Sequence, residues 1–363
     1  MSRAVRATIH LQALHHNLAR VRALAPQAQV LAVVKADGYG HGLERVAKAL
    51  KGADAFGVAS IADARLIRAA GLKQRVVMLS GLDEPVDVEE MRWLDTETVI
   101  HHESQIRILE AAGSGKSLRC WFKIDTGMHR LGFAPDEARA AYARLAACPS
   151  VDPQIPVMTH LANSDVTTDP ITATQIERFA PLAHDLDGEL SAANSAGVLG
   201  FPQAQFDWVR VGGLLYGVSP VDGETGLDRG FQPAMTLSTK LIAINRVARG
   251  ERVGYGGVYA CPEDMDVGVV AFGYGDGYPR HARAATPVLL RGREVPIIGR
   301  VSMDLVTVDL RGVPEAEVGD PVVLWGRGLP VERIAQAAET IGYELICGMT
   351  RRVVFVEDDA PLP

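Results

Sequence analysis

The residue of this chain best placed for covalent chemistry is Lys35, which directly follows the apolar run Val30–Val34. A short continuous apolar run predicts a strand that is buried on both faces. A lysine at the end of such a strand is partly removed from water, which lowers its pKa and makes the neutral amine available as a nucleophile. Lys35 is therefore a candidate for Schiff-base chemistry. The alternative is a lysine that only reaches solvent at the rim of a sheet.

Other polar side chains follow the later apolar runs of the first two-thirds of the chain. They are Lys123 and Arg130, His160, Asn194 with Ser195, and Arg210 with Gly212 and Gly213. The carboxyl ends of parallel barrel strands meet at one edge, so these residues would form a polar ring there. The hydroxyl of Ser195 and the backbone N–H groups of the two glycines make a candidate phosphate site, and a plain turn is the alternative. Arg210 only donates hydrogen bonds, so a pyridine nitrogen facing it would stay uncharged.

Eight apolar runs with helical patterns between most of them must position these residues. The runs are Val30–Val34, Ala55–Ala59, Val76–Leu79, Thr98–His101, Arg119–Ile124, Val157–Leu161, Leu190–Ala193 and Trp208–Val211. Strands alternating with helices indicate parallel βαβ units. Their number and spacing predict an α/β fold, a (β/α)8 TIM-type barrel over residues 9–230. A doubly wound open sheet has the same local signals and remains the alternative.

The chain changes in character after residue 230, where strand-like segments are separated mainly by turns. They are Thr236–Val247, Val267–Phe272, Val288–Leu290, Val295–Val301, Leu305–Leu310 and Pro321–Trp325. We expect a hairpin around Arg291 and Gly292, and a helix over Val331–Ile341. Residues 231–363 are therefore predicted to form a mainly β domain, to which an N-terminal strand at residues 1–8 would be added.

Composition and charge argue against several classes of protein. The net charge of −7 and the pI near 5.8 do not fit a nucleic-acid binder, which needs a basic surface. No apolar run approaches the roughly 18 to 20 residues of a membrane span, and the N-terminus has no apolar signal region. The four cysteines lack the spacing of a zinc site or a disulfide scaffold. We therefore expect reduced thiols, a cytoplasmic location and no metal.

Eight motifs, in order along nearly the whole chain, resemble those of the bacterial alanine racemases, a family of pyridoxal-phosphate enzymes. They are AVVKADGYGHG (32–42), KIDTGMHRLGF (123–133), THLANSD (159–165), ANSAG (193–197), RVGGLLYG (210–217), VGYGGVY (253–259), GYGDGY (273–278) and IGRVSMDL (298–305). Members of this family are homodimers with an N-terminal (β/α)8 barrel and a C-terminal β domain.

The resemblance implies pyridoxal 5′-phosphate as the cofactor. The residues that match its binding positions are Lys35, Tyr39, His160, Asn194, Ser195, Arg210, Gly212 and Gly213. Lys35 would form the aldimine, Arg210 would face the pyridine nitrogen, and Tyr39 would help to hold the phosphate. Arg130 would orient the cofactor's phenolate and the substrate carboxylate. Lys123 matches a position that is often carbamylated.

The resemblance also implies a two-base interconversion of L-alanine and D-alanine. Lys35 would serve the D-enantiomer, and Tyr255, reaching from the β domain into the partner's barrel, would serve the L-enantiomer. Tyr274 and Met303 would complete the substrate end. A tyrosine with an ordinary pKa near 10 needs cationic help to act as a base near neutral pH. His160 and Arg210 are expected to supply it.

Four other functions share parts of this pattern. A racemase for another amino acid, such as serine or lysine, would use the same scaffold. A non-catalytic pyridoxal-phosphate binder would resemble the barrel half alone. A related decarboxylase would benefit from a carboxylate at the pyridine nitrogen rather than Arg210. A metal-dependent hydrolase would need clustered ligands at the strand ends, where only His160 is well placed. The sequence also leaves open whether D-alanine is made for peptidoglycan or broken down.

Overall fold

The computed structural model describes residues 5–113, 115–186 and 188–362. These residues form two compact units, one made of Asn17–Leu215 with Ser219–Gly223, and the other of the described residues of Met1–His16, Tyr216–Val218 and Glu224–Pro363. The domain limits at residues 230 and 231 stay a prediction. Part of the strand expected at residues 1–8 lies outside the described residues.

The first unit is built around a closed barrel of eight parallel strands. They are β2 (Gln29–Val33), β3 (Ala55–Val58), β4 (Arg75–Met78), β5 (Glu97–Ile100), β6 (Arg119–Lys123), β7 (Val157–Met158), β8 (Leu190–Ser191) and β9 (Trp208–Val211). Each strand pairs in parallel with the next, and β9 pairs with β2, so that Leu31 lies opposite Arg210. The predicted (β/α)8 barrel is confirmed, and the open doubly wound sheet is wrong.

One helix precedes the barrel strands, and the others connect them. They are α1 (Leu11–Leu24), the short left-handed α2 (Lys35–Gly40), α3 (Leu43–Ala49), α4 (Ile61–Ala69), α5 (Pro85–Leu94), α6 (Glu103–Ala111), α7 (Ala138–Ala146), α8 (Ile171–His184) and α9 (Ser195–Gly200). Local signals set several of their ends. The Ser60 hydroxyl accepts a hydrogen bond from the backbone N–H of Asp63 at the start of α4, and α5 begins with Pro85, whose missing N–H costs nothing there.

In the barrel interior, an apolar layer lies between the Arg75–Glu97 ion pair at the amino ends of the strands and a positively charged layer at their carboxyl ends. Trp121 and Trp208 are fully buried in the interior cluster, with their rings edge to face at 5.4 Å. Side chains two residues apart on a strand point to the same face. Lys123 and Arg210 therefore lie one layer above the two tryptophans, at the carboxyl ends of β6 and β9.

The second unit is mainly β. Its strands are β1 (Arg6–His10), β10 (Met235–Val247), β11 (Arg252–Val253), β12 (Tyr259–Ala260), β13 (Met265–Val270), β14 (Pro287–Leu290), β15 (Arg293–Ile298), β16 (Val306–Asp309), β17 (Pro321–Trp325) and β18 (Val354–Asp358). Eight of them form one sheet in the order β13-β16-β15-β14-β17-β10-β1-β18, and β13 also pairs with β10. The expected β domain is confirmed.

Two local predictions in this unit can be compared with the structure. The hairpin β14–β15 turns at Arg291 and Gly292, whose φ angles of 52° and 79° fit a two-residue turn that matches the strand twist. The helix predicted over Val331–Ile341 is partly wrong. The helix that forms, α10 (Val331–Ala337), ends before Glu339, which adopts a left-handed φ of 53°, and a further helix that was not predicted, α11 (Gly342–Cys347), follows it. Among the described residues, no helix is long and apolar enough to cross a bilayer.

Candidate active site

The segment after β2 leaves the strand through an unusual left-handed turn. Ala36, Asp37, Gly38 and Tyr39 all have φ between 52° and 61°. This region is costly for residues with side chains and persists only where the surroundings fix it. The carboxylate of Asp37 helps to fix it by accepting a hydrogen bond from the backbone N–H of Leu43 at 2.7 Å. Such stored strain is typical of functional sites.

Lys35 stands at the start of this turn, and its side chain is exposed. The expectation that it is partly removed from water is therefore wrong for the single chain, because the residue lies beyond the last hydrogen-bonded position of β2. It is nevertheless close to the charged layer: the positive charge of Lys35 contributes to the lowered pKa values of Lys123 and His160.

Tyr39, Ser195 and Gly212 come together at the carboxyl ends of β2, β8 and β9. The backbone N–H of Gly212 donates to the Ser195 hydroxyl at 3.1 Å. A Cβ atom added at Gly212 would stand 2.3 Å from the Tyr39 hydroxyl, so no larger residue fits without displacing it. Gly213 begins the next 3-10 turn, Gly213–Tyr216. Two hydroxyls and an N–H group thus line a cradle whose donors suit a phosphate.

Asn194, which was also expected to bind the cofactor, is engaged in holding its own loop. Its Oδ1 accepts from the backbone N–H of Gly197 at 2.9 Å, as an N-cap of α9, and from the Ser164 hydroxyl at 2.9 Å. Its Nδ2 donates to the carbonyl of Leu161 at 3.3 Å. The side chain of Asn194 therefore fixes the start of α9, where Ser195 lies.

Arg210 is buried and held by neighbouring strands. Its guanidinium donates to the Ser191 hydroxyl at 2.6 Å, to the Thr159 carbonyl at 2.5 Å and to the Ala192 carbonyl at 3.3 Å. Burial lowers its pKa to about 10, so it remains a cation at neutral pH. None of these partners could be recognised in the sequence, because each depends on the pairing of distant strands.

His160 accepts a hydrogen bond at Nδ1 from Nη2 of Arg210, 3.2 Å away. Arginine has no acceptor, so Nδ1 must be unprotonated and Nε2 carries the proton. Burial first, and then the positive charges of Arg210 and Lys123, hold the pKa of His160 well below its usual range. The imidazole is therefore neutral near pH 7. Of the two residues expected to supply positive charge, only Arg210 does.

Lys123 is buried, with 6% of its surface exposed. Burial and the nearby positive charges of Arg210, Arg130 and Lys35 lower its pKa to about 8, against an opposing contribution from Asp125. A fraction of its amine is thus neutral and nucleophilic near physiological pH. The site concentrates cations, as an anionic cofactor and an amino-acid carboxylate require.

Arg130 lies in the loop after β6 and is exposed. Asp125 organises this loop: one oxygen accepts from the backbone N–H groups of Gly127, Met128 and His129 at 2.9, 2.9 and 3.1 Å. Burial raises the pKa of Asp125, but these three hydrogen bonds stabilise its charged form by more than that, so the net effect is a lowered pKa. Asp125 was not singled out from the sequence, although an aspartate followed by a glycine turn is a usable signal.

The remaining expected residues belong to the β unit and lie near its surface. Tyr255, Tyr274 and Met303 are 70%, 37% and 51% exposed. The backbone N–H of Tyr274 donates to the carbonyl of Ser302 at 3.1 Å, and a Cβ at Gly256 would stand 3.2 Å from the guanidinium of Arg300. We call Tyr255, Tyr274 and Met303 the tyrosine surface, since the segments that carry them are neighbours.

An ion-pair network that sequence reasoning missed supports this surface. Arg352 lies 3.2 Å from the buried carboxylate of Asp276 and also pairs with Asp304. Asp276 in turn accepts from the backbone N–H of Gly273 at 3.1 Å. One arginine thus ties the turn that carries Tyr274 to the segment that carries Met303.

The described residues contain no group of three or more histidine, cysteine, aspartate or glutamate side chains arranged to bind a metal. The metal-dependent hydrolase considered above therefore gains no support from the geometry.

Comparisons with known proteins agree over the whole length of the chain. Residues 9–220 match the family described as alanine racemase, N-terminal domain, and residues 234–356 match alanine racemase, C-terminal domain. The alanine racemase of Nitrosococcus oceani is 50% identical over 96% of this chain and 97% of its own.

Solved structures agree as well. The biosynthetic alanine racemase of Pseudomonas aeruginosa superposes with a TM-score of 0.95 at 44% identity, covering 98% of this chain and 99% of its own. The Bartonella henselae alanine racemase, solved with covalently bound pyridoxal phosphate, superposes with a TM-score of 0.89 at 25% identity, covering 98% of this chain and 99% of its own. The chain belongs to the alanine racemase family.

Proposed function

We propose that this alanine racemase works with pyridoxal 5′-phosphate, held in the barrel mouth, and with two bases contributed by two copies of the chain. The interconversion of L-alanine and D-alanine itself follows from family membership. The observation that carries the two-chain proposal is Tyr255, an aromatic side chain that is 70% exposed in the single chain.

The cradle fits the cofactor. The hydroxyls of Tyr39 and Ser195 offer donors to a phosphate, and the backbone N–H of Gly212, which donates to the Ser195 hydroxyl in the single chain, lies beside them. The absence of a Cβ at Gly212 is what allows the Tyr39 hydroxyl to approach the backbone so closely. Arg210 offers its guanidinium to a pyridine nitrogen and would leave that nitrogen unprotonated. When bound, pyridoxal phosphate draws electron density from Cα of the amino acid and acidifies its C–H bond. Lys35, at the strand end, is the amine that would hold the cofactor covalently.

Two residues would then move the proton. When L-alanine reacts, Oη of Tyr255 from the second copy takes the α-proton and the protonated Nζ of Lys35 delivers a proton to the opposite face of Cα; when D-alanine reacts, the two residues exchange these parts. A turnover of L-alanine leaves one proton more on the tyrosine and one fewer on Lys35, a turnover of D-alanine leaves the reverse, and proton exchange with water restores both groups. The neutral Nε2–H of His160 can donate to the tyrosine oxygen. Arg210, bonded to the other nitrogen of that ring, stabilises the negative charge through it.

A mixture of two inactive variants tests the shared site. In a hybrid dimer of Lys35→Ala and Tyr255→Phe chains, one site lacks both bases and the other keeps both. Co-expressed chains carrying different affinity tags should therefore yield a purified hybrid with about half the turnover of the wild-type dimer. Each variant alone should be inactive. An inactive hybrid that still forms and binds cofactor would place both bases in one chain and overturn the proposal.

Substrate and cofactor have a direct assay. L-alanine in deuterated water should lose its α-proton signal and give D-alanine, while serine and lysine should react much more slowly. The protein should be yellow, and reduction with borohydride should bleach the yellow and leave a pyridoxyl group, which absorbs in the near ultraviolet and fluoresces, attached to a peptide that contains Lys35.

Lys123 is also proposed to react with carbon dioxide. Its neutral amine, favoured by a pKa of about 8, adds to the carbon of CO2 and releases one proton to water. The resulting carbamate would put a negative charge beside Arg130. Labelling with ¹³CO2 should give a carbamate carbon resonance that disappears in Lys123→Met.

The protein's place in the cell is part of the proposal. All four cysteines are free, which supports a reducing cytoplasm.

A further inference from the structure

Gln175 is a fully buried polar side chain on α8 that neither the motifs nor the proposed mechanism uses. Its Oε1 accepts from the backbone N–H of Ala162 at 2.8 Å, and its Nε2 donates to the carbonyl of His160 at 3.0 Å. The amide therefore grips the chain immediately on both sides of Leu161. A buried glutamine with both ends bonded has one rotamer and fixes what it holds.

The same amide reaches the loop of Arg130. Nε2 of Gln175 lies 3.4 Å from the hydroxyl of Thr126, and that hydroxyl lies 2.8 Å from the hydroxyl of Thr159. Thr159 precedes His160, and its carbonyl accepts from Arg210. Gln175 thus joins the loop after β6 to the segment after β7, where the Arg210–His160 hydrogen bond is made.

We propose that Gln175 is a positioning residue for racemisation, which holds the His160 segment and the Arg130 loop together and thereby sets the hydrogen bond between Arg210 and His160. Because Nδ1 of His160 must face Nη2 of Arg210 for Nε2 to carry the proton, a small rotation of the backbone at His160 weakens this bond. The expected loss of racemisation rests on the proposed function. The effect of Gln175 on the hydrogen bond between Arg210 and His160 does not, because all three residues lie in the barrel of one chain.

The chain contains a matched control on the neighbouring side of the barrel. Gln105 on α6 is buried and clamps backbone in the same manner, accepting from the N–H of His101 at 2.8 Å and donating to the carbonyl of Leu82 at 3.0 Å. It grips segments that carry none of the residues assigned to catalysis. Gln105→Ala and Gln175→Ala therefore remove similar structural bonds, and only the second acts on His160.

The test compares three variants of the full chain. In Gln175→Ala, kcat should fall by as much as about 10²-fold, which is the size of effect that a misplaced catalytic group produces. KM should change far less. Nitrogen-15 NMR of the imidazoles should show His160 shifting from one tautomer towards a mixture, with a pKa closer to the ordinary value. Gln175→Glu keeps the acceptor for Ala162 but loses both donated bonds, so it should show the same shifts even if Gln175→Ala does not fold.

Gln105→Ala should lose stability to a similar degree and keep wild-type kcat, pH profile and His160 resonances. The proposal is overturned if Gln175→Ala or Gln175→Glu lowers stability as Gln105→Ala does but leaves kcat and the His160 resonances unchanged. If the wild-type protein does not racemise alanine, the proposed function fails, and the NMR comparison still decides whether Gln175 sets the His160 geometry.

Discussion

The barrel mouth, formed by Arg210, His160 and Lys123 at the carboxyl ends of the barrel strands, and the tyrosine surface differ in how far their side chains are removed from water. In the mouth, Arg210 and Lys123 are buried and His160 is half-buried beside them, so their pKa values are shifted. On the tyrosine surface, Tyr255 is mostly exposed. The first region is complete within one chain, whereas the second presents an exposed aromatic residue.

The comparison shows which region shifts the pKa values of its side chains within a single chain. Burial and neighbouring charge act on a side chain only when the surrounding groups are fixed, and the mouth supplies them in one chain. An exposed tyrosine side chain is surrounded mostly by water. In the proposed mechanism it acquires its function only when a second copy brings Arg210 and His160 next to it.

The largest effect should follow from changing Lys35. Lys35→Ala should reduce racemisation to background and abolish covalent retention of pyridoxal phosphate, because it removes the amine at the end of β2 that is proposed to hold the cofactor. Near-ultraviolet absorption and fluorescence of the pyridoxyl group that stays on the protein after borohydride reduction and denaturing dialysis measure this. Lys73→Ala, which changes an exposed lysine away from the mouth, is the control. A pyridoxyl group and activity retained in Lys35→Ala would contradict the role given to the mouth.

Tyr255→Phe should lower turnover by about 10²- to 10⁴-fold, the usual contribution of a general acid–base group. Since the hydroxyl is exposed, the free energy of unfolding should change by no more than about 0.5 kcal/mol. Tyr259→Phe, on the next strand of the same segment, serves as control for activity. Kinetics in both directions together with urea denaturation check the prediction. Wild-type turnover in Tyr255→Phe would remove the tyrosine from the mechanism.

Lys123 should make stability depend on pH in a way that an exposed lysine does not. Its pKa is about 8 in the folded chain against an ordinary 10.5, so between these values the unfolded chain binds more protons. Stability should therefore rise with pH across this window, by up to about 3 kcal/mol. In buffers free of CO2, Lys123→Met should lack this rise when unfolding is followed at several pH values. An identical slope in the variant would contradict the burial effect.

The smallest effect should come from Asn194, whose bonds hold α9 and the loop behind Ser195. Asn194→Ala should cost about 1 kcal/mol of stability, as for other lost N-caps, and should weaken cofactor binding only slightly. Asn194→Asp, which still accepts the Gly197 bond, should recover most of the stability. Fluorescence titration with pyridoxal phosphate separates the two roles. A large loss of affinity with unchanged stability would make Asn194 a direct cofactor ligand.

The fold, and the placement of Lys35, Lys123 and Arg210 at strand ends, could be predicted from sequence because their signals are local. Continuous apolar runs mark parallel strands, and a lysine or arginine just after such a run is carried to the mouth by the strand itself. The Arg291–Gly292 hairpin was readable for the same reason. The surroundings of two side chains were predicted wrongly, because Lys35 is exposed rather than desolvated and His160 is neutral rather than charged. The helix predicted at Val331–Ile341 also breaks at Glu339.

The sequence by itself determined the succession of strands along the chain, the motifs and which side chains are candidates for the chemistry, since each depends on residues a few positions apart. Only the tertiary structure decided their charge and orientation. Arg210 meets Thr159 and Ser191 across 51 and 19 positions of sequence, and Gln175 meets Thr126 across 49. These contacts exist only after the barrel closes, and they fix which nitrogen of His160 carries the proton because hydrogen bonds and desolvation act through space rather than along the chain.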